Sequence, residues 1–266
     1  MAIASGKGGT GKTLVATNLY HALFRQKHKV VLVDCDAEAP NARLFFKSAI
    51  IKTKAVTQSV PLIDESSCSW CGRCDEYCHY NAIFYLPSSK VIKLMEDLCH
   101  GCGACSVACH YGAITEKERL LGQTGTYSLP GDGLLIEARM NTGIYSPVPL
   151  ISAAIGESAN APLVIMDAPP GTSCPFIQTV ERADFVVLVT EPTPFGLSDL
   201  KQSVETLKTM HKNHGVIINR AQLGNREIYQ YLEAAQIPLL MEIPFDRTIA
   251  RSYARGELLV ESESAW

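Results

Sequence analysis

The chain has 266 residues, 47% of them hydrophobic, and a formal net charge of -3, which predicts an ordinary globular domain plus a small second one. No apolar run approaches the roughly 18 residues needed to cross a bilayer, and the first residues lack the basic start and apolar stretch of a signal peptide. Lysine and arginine are spread along the chain instead of forming a basic stripe. We therefore expect a cytoplasmic protein that has no membrane span and does not bind nucleic acid.

A phosphate-binding loop is predicted near the start of the chain. Residues 2–4 form a short apolar strand, the turn 6-GKGGTGKT-13 follows, and apolar residues then recur at helical spacing. The turn is G-x-x-x-x-G-K-[ST] in the strand, loop and helix context that this motif requires. We expect Lys12 to neutralise the β- and γ-phosphates of ATP and the Thr13 hydroxyl to bind Mg²⁺. The predicted nucleotide-binding residues of the loop are Gly6, Lys7, Gly8, Gly9, Thr10, Gly11, Lys12 and Thr13.

The rest of the chain alternates strands and helices, with one interruption. Apolar runs typical of buried parallel strands occur at 30–34, 163–167, 185–190 and 215–219, and 134–140 also has strand character. Helical patterns lie at 147–158, 197–213 and 226–236. We predict an α/β fold with a mostly parallel sheet flanked by helices, as in P-loop NTPases. The predicted ATPase core comprises residues 1–54 and 120–266, and residues 55–119 form an inserted domain.

The second lysine of the loop, Lys7, makes the motif more specific. The stretch 7-KGGTGKT-13 resembles the KGGxGK[ST] hallmark of the deviant-Walker ATPases, the superfamily of MinD, ParA, Mrp and the nitrogenase iron protein. The resemblance implies that Lys7 reaches the phosphates of a nucleotide bound by the other subunit and stabilises transferring charge. It implies a dimer, of identical chains or with a related ATPase, that sandwiches ATP. The alternative for Lys7 is a solvated loop charge.

The same resemblance assigns two switch segments that follow buried strands. In 34-DCDAEAPN-41, Asp36 matches the residue that orients the attacking water and binds Mg²⁺ through its water shell. In 167-DAPPGTS-173, Asp167 matches the Walker B acid, and the Gly171 N–H would sense the γ-phosphate. Either aspartate taken alone would also fit a helix cap.

A site for the base of the nucleotide is implied further along the chain. Asn219 follows a buried strand at the place where the family has an adenine-contacting Asn, and Arg220 is a second candidate. The segment 243-IPFD-246 fits the base-side loop of the family without specifying a contact.

Eight of the ten cysteines fall within residues 68–109. They form two runs of C-x2-C-x2-C-x3-C, 31 residues apart, a spacing by which thiolates hold 4Fe-4S clusters. The insert resembles the small α+β bacterial ferredoxins with two clusters, in which the fourth cysteine of each run serves the other cluster. The resemblance implies one cluster on Cys68, Cys71, Cys74 and Cys109, and a second on Cys99, Cys102, Cys105 and Cys78. Two all-thiolate zinc sites are the alternative.

Four further residues extend or break these patterns. Ferredoxins place Pro after the fourth cysteine, whereas His79 and His110 stand there in this chain. Their imidazoles either face solvent or adjust the neighbouring cluster through charge or an N–H to sulfur contact. Cys174 matches the spacing by which the nitrogenase iron protein places a cluster ligand after its second switch, and an inert buried cysteine is the alternative. Cys35, at a strand end, is expected only to pack.

Three functions fit these features, and we expect the first. It is an ATPase whose hydrolysis gates electron transfer through two 4Fe-4S clusters to or from a redox partner protein. The second is a cluster assembly or carrier protein of the Mrp type, although no late CxxC pair follows Cys174. The third is a positioning ATPase that cycles on membrane or DNA, which the acidic, short C-terminal stretch 256–266 disfavours.

Overall fold

The computed structural model describes residues 1–261, which form two compact units. The first unit comprises Met1–Lys54, Thr124–Arg139 and the residues from Leu150 onward. The second unit comprises Ala55–Gln123 and Met140–Pro149. Of the C-terminal stretch considered above, residues 262–266 lie outside the described part of the chain. None of the helices within residues 1–261 has the length and apolar character of a bilayer-crossing segment.

The predicted mostly parallel sheet is confirmed. Among the described residues, nine strands form one sheet in the order β11-β10-β9-β1-β8-β2-β7-β6-β3, and β4 pairs with β5 as an antiparallel hairpin. Every neighbouring pair from β11 to β7 in that order is parallel. The strands are β1 Ala2–Ala4, β2 Val30–Asp34, β3 Ala49–Ile63, β4 Ile83–Leu86, β5 Val91–Leu94, β6 Ile114–Leu129, β7 Gly133–Met140, β8 Leu163–Asp167, β9 Val186–Thr190, β10 His214–Asn219 and β11 Leu239–Ile243.

Within residues 1–261, eight α-helices occur, and four of them, α1 and three others, lie where the periodicity predicts a helix. The patterns at 147–158, 197–213 and 226–236 correspond to α4, α6 and α7 in the following set. The helices are α1 Lys12–Arg25, α2 Arg73–Glu76, α3 Ala104–Ala108, α4 Val148–Glu157, α5 Cys174–Glu181, α6 Pro194–Thr209, α7 Glu227–Ala234 and α8 Arg247–Ala254.

Helix α1 packs on the sheet through one apolar face. Its Val15, Ala16 and Tyr20 are buried in one core with Ile3 of β1 and Leu32 of β2. Because each residue turns an α-helix by about 100°, these three positions of α1 fall within about 140° and lie on one side of the helix. This packing fixes the start of α1, and with it the loop that precedes the helix.

The parallel pairing brings five strand ends to one edge of the sheet. β1 lies between β8 and β9, and β2 is the other neighbour of β8. In register, Asp34 is opposite Asp167, and Ile218 is opposite Thr190. Because the carboxyl ends of parallel strands face the same edge, the loops after β1, β2, β8, β9 and β10 lie there. These loops carry the candidate nucleotide-binding residues.

The second unit is built around the two cysteine runs. The β4–β5 hairpin and the short helices α2 and α3 belong to it, and Ile83 and Ile92 of the hairpin are buried in its core. Cys74 of α2 and Cys105 of α3 lie in the same core. The third cysteine of each run is therefore part of the packed interior.

Strands β6 and β11 are among the strands that were not predicted from the sequence. The first half of β6 is mostly exposed and reads TEKER, so it has no apolar run to mark it. β11 lies at the edge of the sheet, where Leu239, Leu240 and Met241 are exposed. Both cases follow from side chains that the core does not constrain.

Candidate functional site

The loop between β1 and α1 is closely packed by neighbouring segments. A Cβ atom added at Gly6 would lie 2.6 Å from the backbone oxygen of Asp199 in α6. Gly11 has a left-handed backbone with φ of 102°, and a Cβ there would lie 2.5 Å from Asn219 Nδ2. These two positions of the motif therefore require glycine.

Replacing Gly11 with Ala should weaken ATP binding by about tenfold to a hundredfold, because the methyl group would be forced against Asn219. Equilibrium titration with a fluorescent ATP analogue measures the change. The matched control is Gly143→Ala, since Gly143 is also left-handed but an added Cβ would meet no atom within 4 Å. An affinity of Gly11→Ala equal to that of the control would contradict this packing argument.

Lys12 is buried and turned toward its own loop. Its Nζ donates to Ser5 Oγ at 3.0 Å and to the Lys7 carbonyl oxygen at 3.4 Å. Burial lowers the pKa of Lys12, while the negative charges of Asp167 and Asp36 oppose that shift. The structure thus brings together the predicted phosphate-binding cation and both predicted switch carboxylates.

Asp34 shapes the first switch segment. Its fully buried carboxylate accepts hydrogen bonds from the N–H groups of Asp36, Asn41 and Ala42 at 3.1, 2.9 and 2.9 Å. Burial and the nearby charge of Asp167 raise the pKa of Asp34 well above its usual range. Because backbone N–H groups already bind both oxygens of the Asp34 carboxylate, the partly exposed Asp36 is the carboxylate of this segment that is available to a ligand.

Asp167 is buried and incompletely paired. Its Oδ1 has no hydrogen-bond partner within residues 1–261. Burial raises the pKa of Asp167 to about 7, and the Thr13 hydroxyl and the Lys12 ammonium act in the opposite direction. A buried carboxylate oxygen without a partner is costly, and a bound cation beside Thr13 would satisfy it. This chemistry fits Mg²⁺, which takes one or two protein oxygens together with substrate phosphates.

The other predicted nucleotide contacts are occupied by the protein itself. The Gly171 N–H donates to the Ser5 carbonyl at 3.2 Å. Asn219 Nδ2 donates to the Thr10 carbonyl at 2.8 Å, and Asn219 Oδ1 accepts from the Arg220 N–H at 2.9 Å. Asn219 therefore braces the phosphate loop, whereas adenine contact by Asn219 and γ-phosphate sensing by Gly171 stay predictions.

Two residues of the site, Glu191 and Tyr253, were not predicted from the sequence. Glu191 follows β9, and its carboxylate contacts both Lys7 and Arg220; an acid directly after a buried strand was the available signal. Tyr253 of α8 has its pKa raised by burial and by the charge of Asp167, and a hydrogen bond with Thr13 lowers it. No motif marks Tyr253, because it reaches the loop only through the fold.

The eight thiols of the second unit line two separate cavities, four thiols to each. All ten cysteines are free thiols. The first cavity is lined by Cys68, Cys71, Cys74 and Cys109, and the second by Cys78, Cys99, Cys102 and Cys105.

The two runs also share local backbone geometry. Trp70 and Gly101, 31 residues apart, both have left-handed backbones, with φ of 59° and 65°. Their N–H groups donate to Cys68 Sγ and Cys99 Sγ at 3.4 and 3.5 Å. The first cysteine of each run therefore has the same N–H to sulfur contact, of the kind that tunes iron–sulfur sites.

The spacing of the thiols bears on the size of the group they would hold. Within residues 1–261, no three His, Cys, Asp or Glu side chains converge closely enough to hold a single metal ion. A tetrahedral zinc requires sulfurs about 2.3 Å from one centre, so the arrangement does not match the zinc alternative. Four cysteine thiolates per cavity are the donor set that a 4Fe-4S cluster takes, and cluster binding stays a prediction.

The remaining candidates are placed as follows. His79 and His110 are both exposed, as the solvent-facing interpretation expects. Cys35 is fully buried at the end of β2, as expected of a packing residue. Cys174 is exposed at the first position of α5, so the inert buried alternative is wrong for this residue.

A glycine-rich loop after the first strand of a parallel sheet, with aspartates at the ends of two neighbouring strands, defines a P-loop nucleotide-binding protein. The particular family follows from comparison with known families. Residues 1–260 match the CobQ/CobB/MinD/ParA nucleotide binding domain, and the chain belongs to this family.

Several known proteins are similar to the chain over its length. MJ0579 and MJ0578, two uncharacterized proteins of Methanocaldococcus jannaschii, are 30% and 32% identical, covering 97% and 99% of this chain and 90% and 91% of their own. An iron-sulfur cluster carrier protein of Aquifex aeolicus is 24% identical over 98% of this chain and 62% of its own length.

Solved structures support the fold. The cell division ATPase MinD of Pyrococcus furiosus superposes with a TM-score of 0.58 at 19% identity, covering 100% of this chain and 92% of that one. The septum site-determining protein MinD of Pyrococcus horikoshii, complexed with Mg-ADP, gives 0.56 at 20% identity, covering 98% and 88%.

Proposed function

We propose that the protein is a Mg²⁺-dependent ATPase that binds two 4Fe-4S clusters and couples its nucleotide state to electron transfer with a redox partner protein. The observation that carries the proposal is the division of eight thiols into two four-thiol cavities within a chain that has a complete phosphate loop. When bound, the clusters would supply one-electron transfer.

In this proposal, each residue of the nucleotide site has a separate role in hydrolysis. Lys12 neutralises the phosphates, and Thr13 and Asp167 hold Mg²⁺. Asp36, partly exposed beside Lys12, orients the attacking water. Lys7 acts on the nucleotide of the second subunit, which is an identical chain or a related ATPase. The support is the convergence of Lys12, Asp36 and Asp167 at one edge of the sheet.

Coupling requires a connection between the switch segments and the cluster-binding residues. The first switch ends at Asn41, and β3 begins at Ala49 and runs without a break to Ile63. The boundary between the two units, at Lys54, lies inside this strand. A switch that moves with the γ-phosphate would therefore act on a continuous strand that leads to the first cysteine run.

A cluster carrier is the second candidate, and the similarity to the Aquifex aeolicus iron-sulfur cluster carrier protein favours it. In that case the clusters would be cargo and would pass to an acceptor protein. Transfer of iron and sulfide from the loaded protein to an apo-ferredoxin, faster with ATP than with ADP, would distinguish the carrier from the electron-transfer protein.

The proposal is tested on protein purified without oxygen. We expect about eight irons and about eight acid-labile sulfides per chain, together with ATP turnover that requires Mg²⁺. Lys12→Ala should keep the iron and lose turnover, since it removes only the phosphate-binding cation. Zinc in place of iron, or turnover in Lys12→Ala equal to wild type, would contradict the proposal.

A further inference from the structure

The signature lysine of the phosphate loop is held by an acidic side chain of its own subunit. Lys7 Nζ lies 3.6 Å from Glu191 Oε2, and the Glu191 side chain is only 11% exposed. Arg220 Nη1 donates to the other oxygen, Glu191 Oε1, at 2.6 Å. One nearly buried carboxylate therefore holds two cations, and its contact with Arg220 is the shorter.

The position of this carboxylate is fixed by the ends of two strands. Glu191 directly follows β9, and Arg220 directly follows β10 with a left-handed backbone, φ 55°. The Arg220 N–H donates to Asn219, and Asn219 donates to the Thr10 carbonyl of the phosphate loop. These contacts run from Lys7 through Glu191, Arg220 and Asn219 to Thr10 of the same loop. They fix the position of the Glu191 carboxylate, so it cannot follow the Lys7 side chain if that side chain turns away.

We infer that Glu191 is a positioning residue that retains Lys7 in its own subunit and thereby sets the protein concentration at which ATP drives dimerisation. The inference rests on the proposed function, in which Lys7 reaches the nucleotide of the second subunit. The Lys7 side chain is 32% exposed, so it is accessible to a competing phosphate group. Because Arg220 shares the carboxylate, Arg220 weakens the hold of Glu191 on Lys7.

The test compares Glu191→Gln with Arg220→Gln in the full chain, by sedimentation velocity with a saturating, poorly hydrolysed ATP analogue. Glu191→Gln removes the charge that retains Lys7, so the dimer should form at lower protein concentration. A partly exposed ion pair corresponds to a factor of roughly two to five, and two lysines are released per dimer, so the dissociation constant should fall about fourfold to 25-fold. Arg220→Gln should raise that constant, because Glu191 then attracts Lys7 alone.

Opposite effects of the two substitutions are the signature of this inference. If Glu191 only stabilised the fold, both variants would lose dimer, and that result would overturn the inference. If the wild-type chain dimerises with the analogue and Glu191→Gln has the same dimer dissociation constant, the inference is overturned and the proposed function stays intact. A wild-type chain that stays monomeric with the analogue at every concentration would instead refute the proposed nucleotide-dependent dimer of like chains.

Discussion

Cys68→Ser and Cys109→Ser should each remove the same cluster, although the two cysteines are 41 residues apart in the chain. Both line the first thiol cavity, whereas Cys78 and Cys99 line the second. Iron should fall from about eight to about four atoms per chain in every one of these variants. The electron paramagnetic resonance spectrum of the reduced protein should then be alike in Cys68→Ser and Cys109→Ser, and different from that of Cys78→Ser.

The matched control for these substitutions is Cys174→Ser, an exposed cysteine outside both runs. It should keep about eight irons per chain if the two runs hold both clusters. Cys99 belongs to the same run as Cys109. If the spectrum of Cys109→Ser matched the spectrum of Cys99→Ser, each run would hold its own cluster. That result would contradict the division of the thiols between the two cavities.

Asp36→Ala should slow ATP turnover by about 10² to 10⁴ while changing ATP affinity little, since it removes the group that orients the attacking water. The affinity is spared because Asp36 is only partly buried and Lys12 keeps its contacts with Ser5 and the Lys7 carbonyl. Single-turnover hydrolysis and equilibrium ATP binding measure the two effects separately.

Glu38→Ala is the control for Asp36→Ala, because Glu38 is an exposed acid two residues away in the same segment. It should hydrolyse ATP at the wild-type rate. If Glu38→Ala were equally slow, or if Asp36→Ala lost ATP binding in proportion to turnover, Asp36 would not have the role given to it.

Much of the parallel sheet could be predicted because β2, β8, β9 and β10 are continuous apolar runs that end at recognisable polar residues. Burial on both faces of a parallel sheet leaves such strands few alternatives. The charged first half of β6 could not be predicted in this way, because it has no apolar run and its side chains are mostly exposed. The edge strand β11 has the apolar sequence LLMEI, but its side chains are exposed and its place in the sheet beside β10 is what identifies it.

The functional site shows the same division between local and long-range information. The phosphate loop and the two aspartates could be located because their spacing is local and each follows a strand. Glu191 meets Lys7 only because β9 lies beside β1 in the sheet. Tyr253 of α8 comes under the influence of Asp167 and Thr13 only through the fold, because both are distant from it in the chain. Contacts of this kind depend on sheet order, which no single segment encodes.

If nucleotide state and cluster chemistry are coupled, the reduction potential of the clusters depends on the bound nucleotide. Potentiometric titration of the cluster-loaded protein would be carried out with Mg-ADP and with a poorly hydrolysed ATP analogue, in the wild type and in Lys12→Ala. We predict that the two nucleotides give potentials that differ by about 40 to 130 mV in the wild type, the range that typical coupling between sites implies for one electron. Lys12→Ala should show no difference. Equal potentials with both nucleotides in the wild type, together with equal rates of electron transfer to an acceptor, would contradict the coupling and favour the carrier.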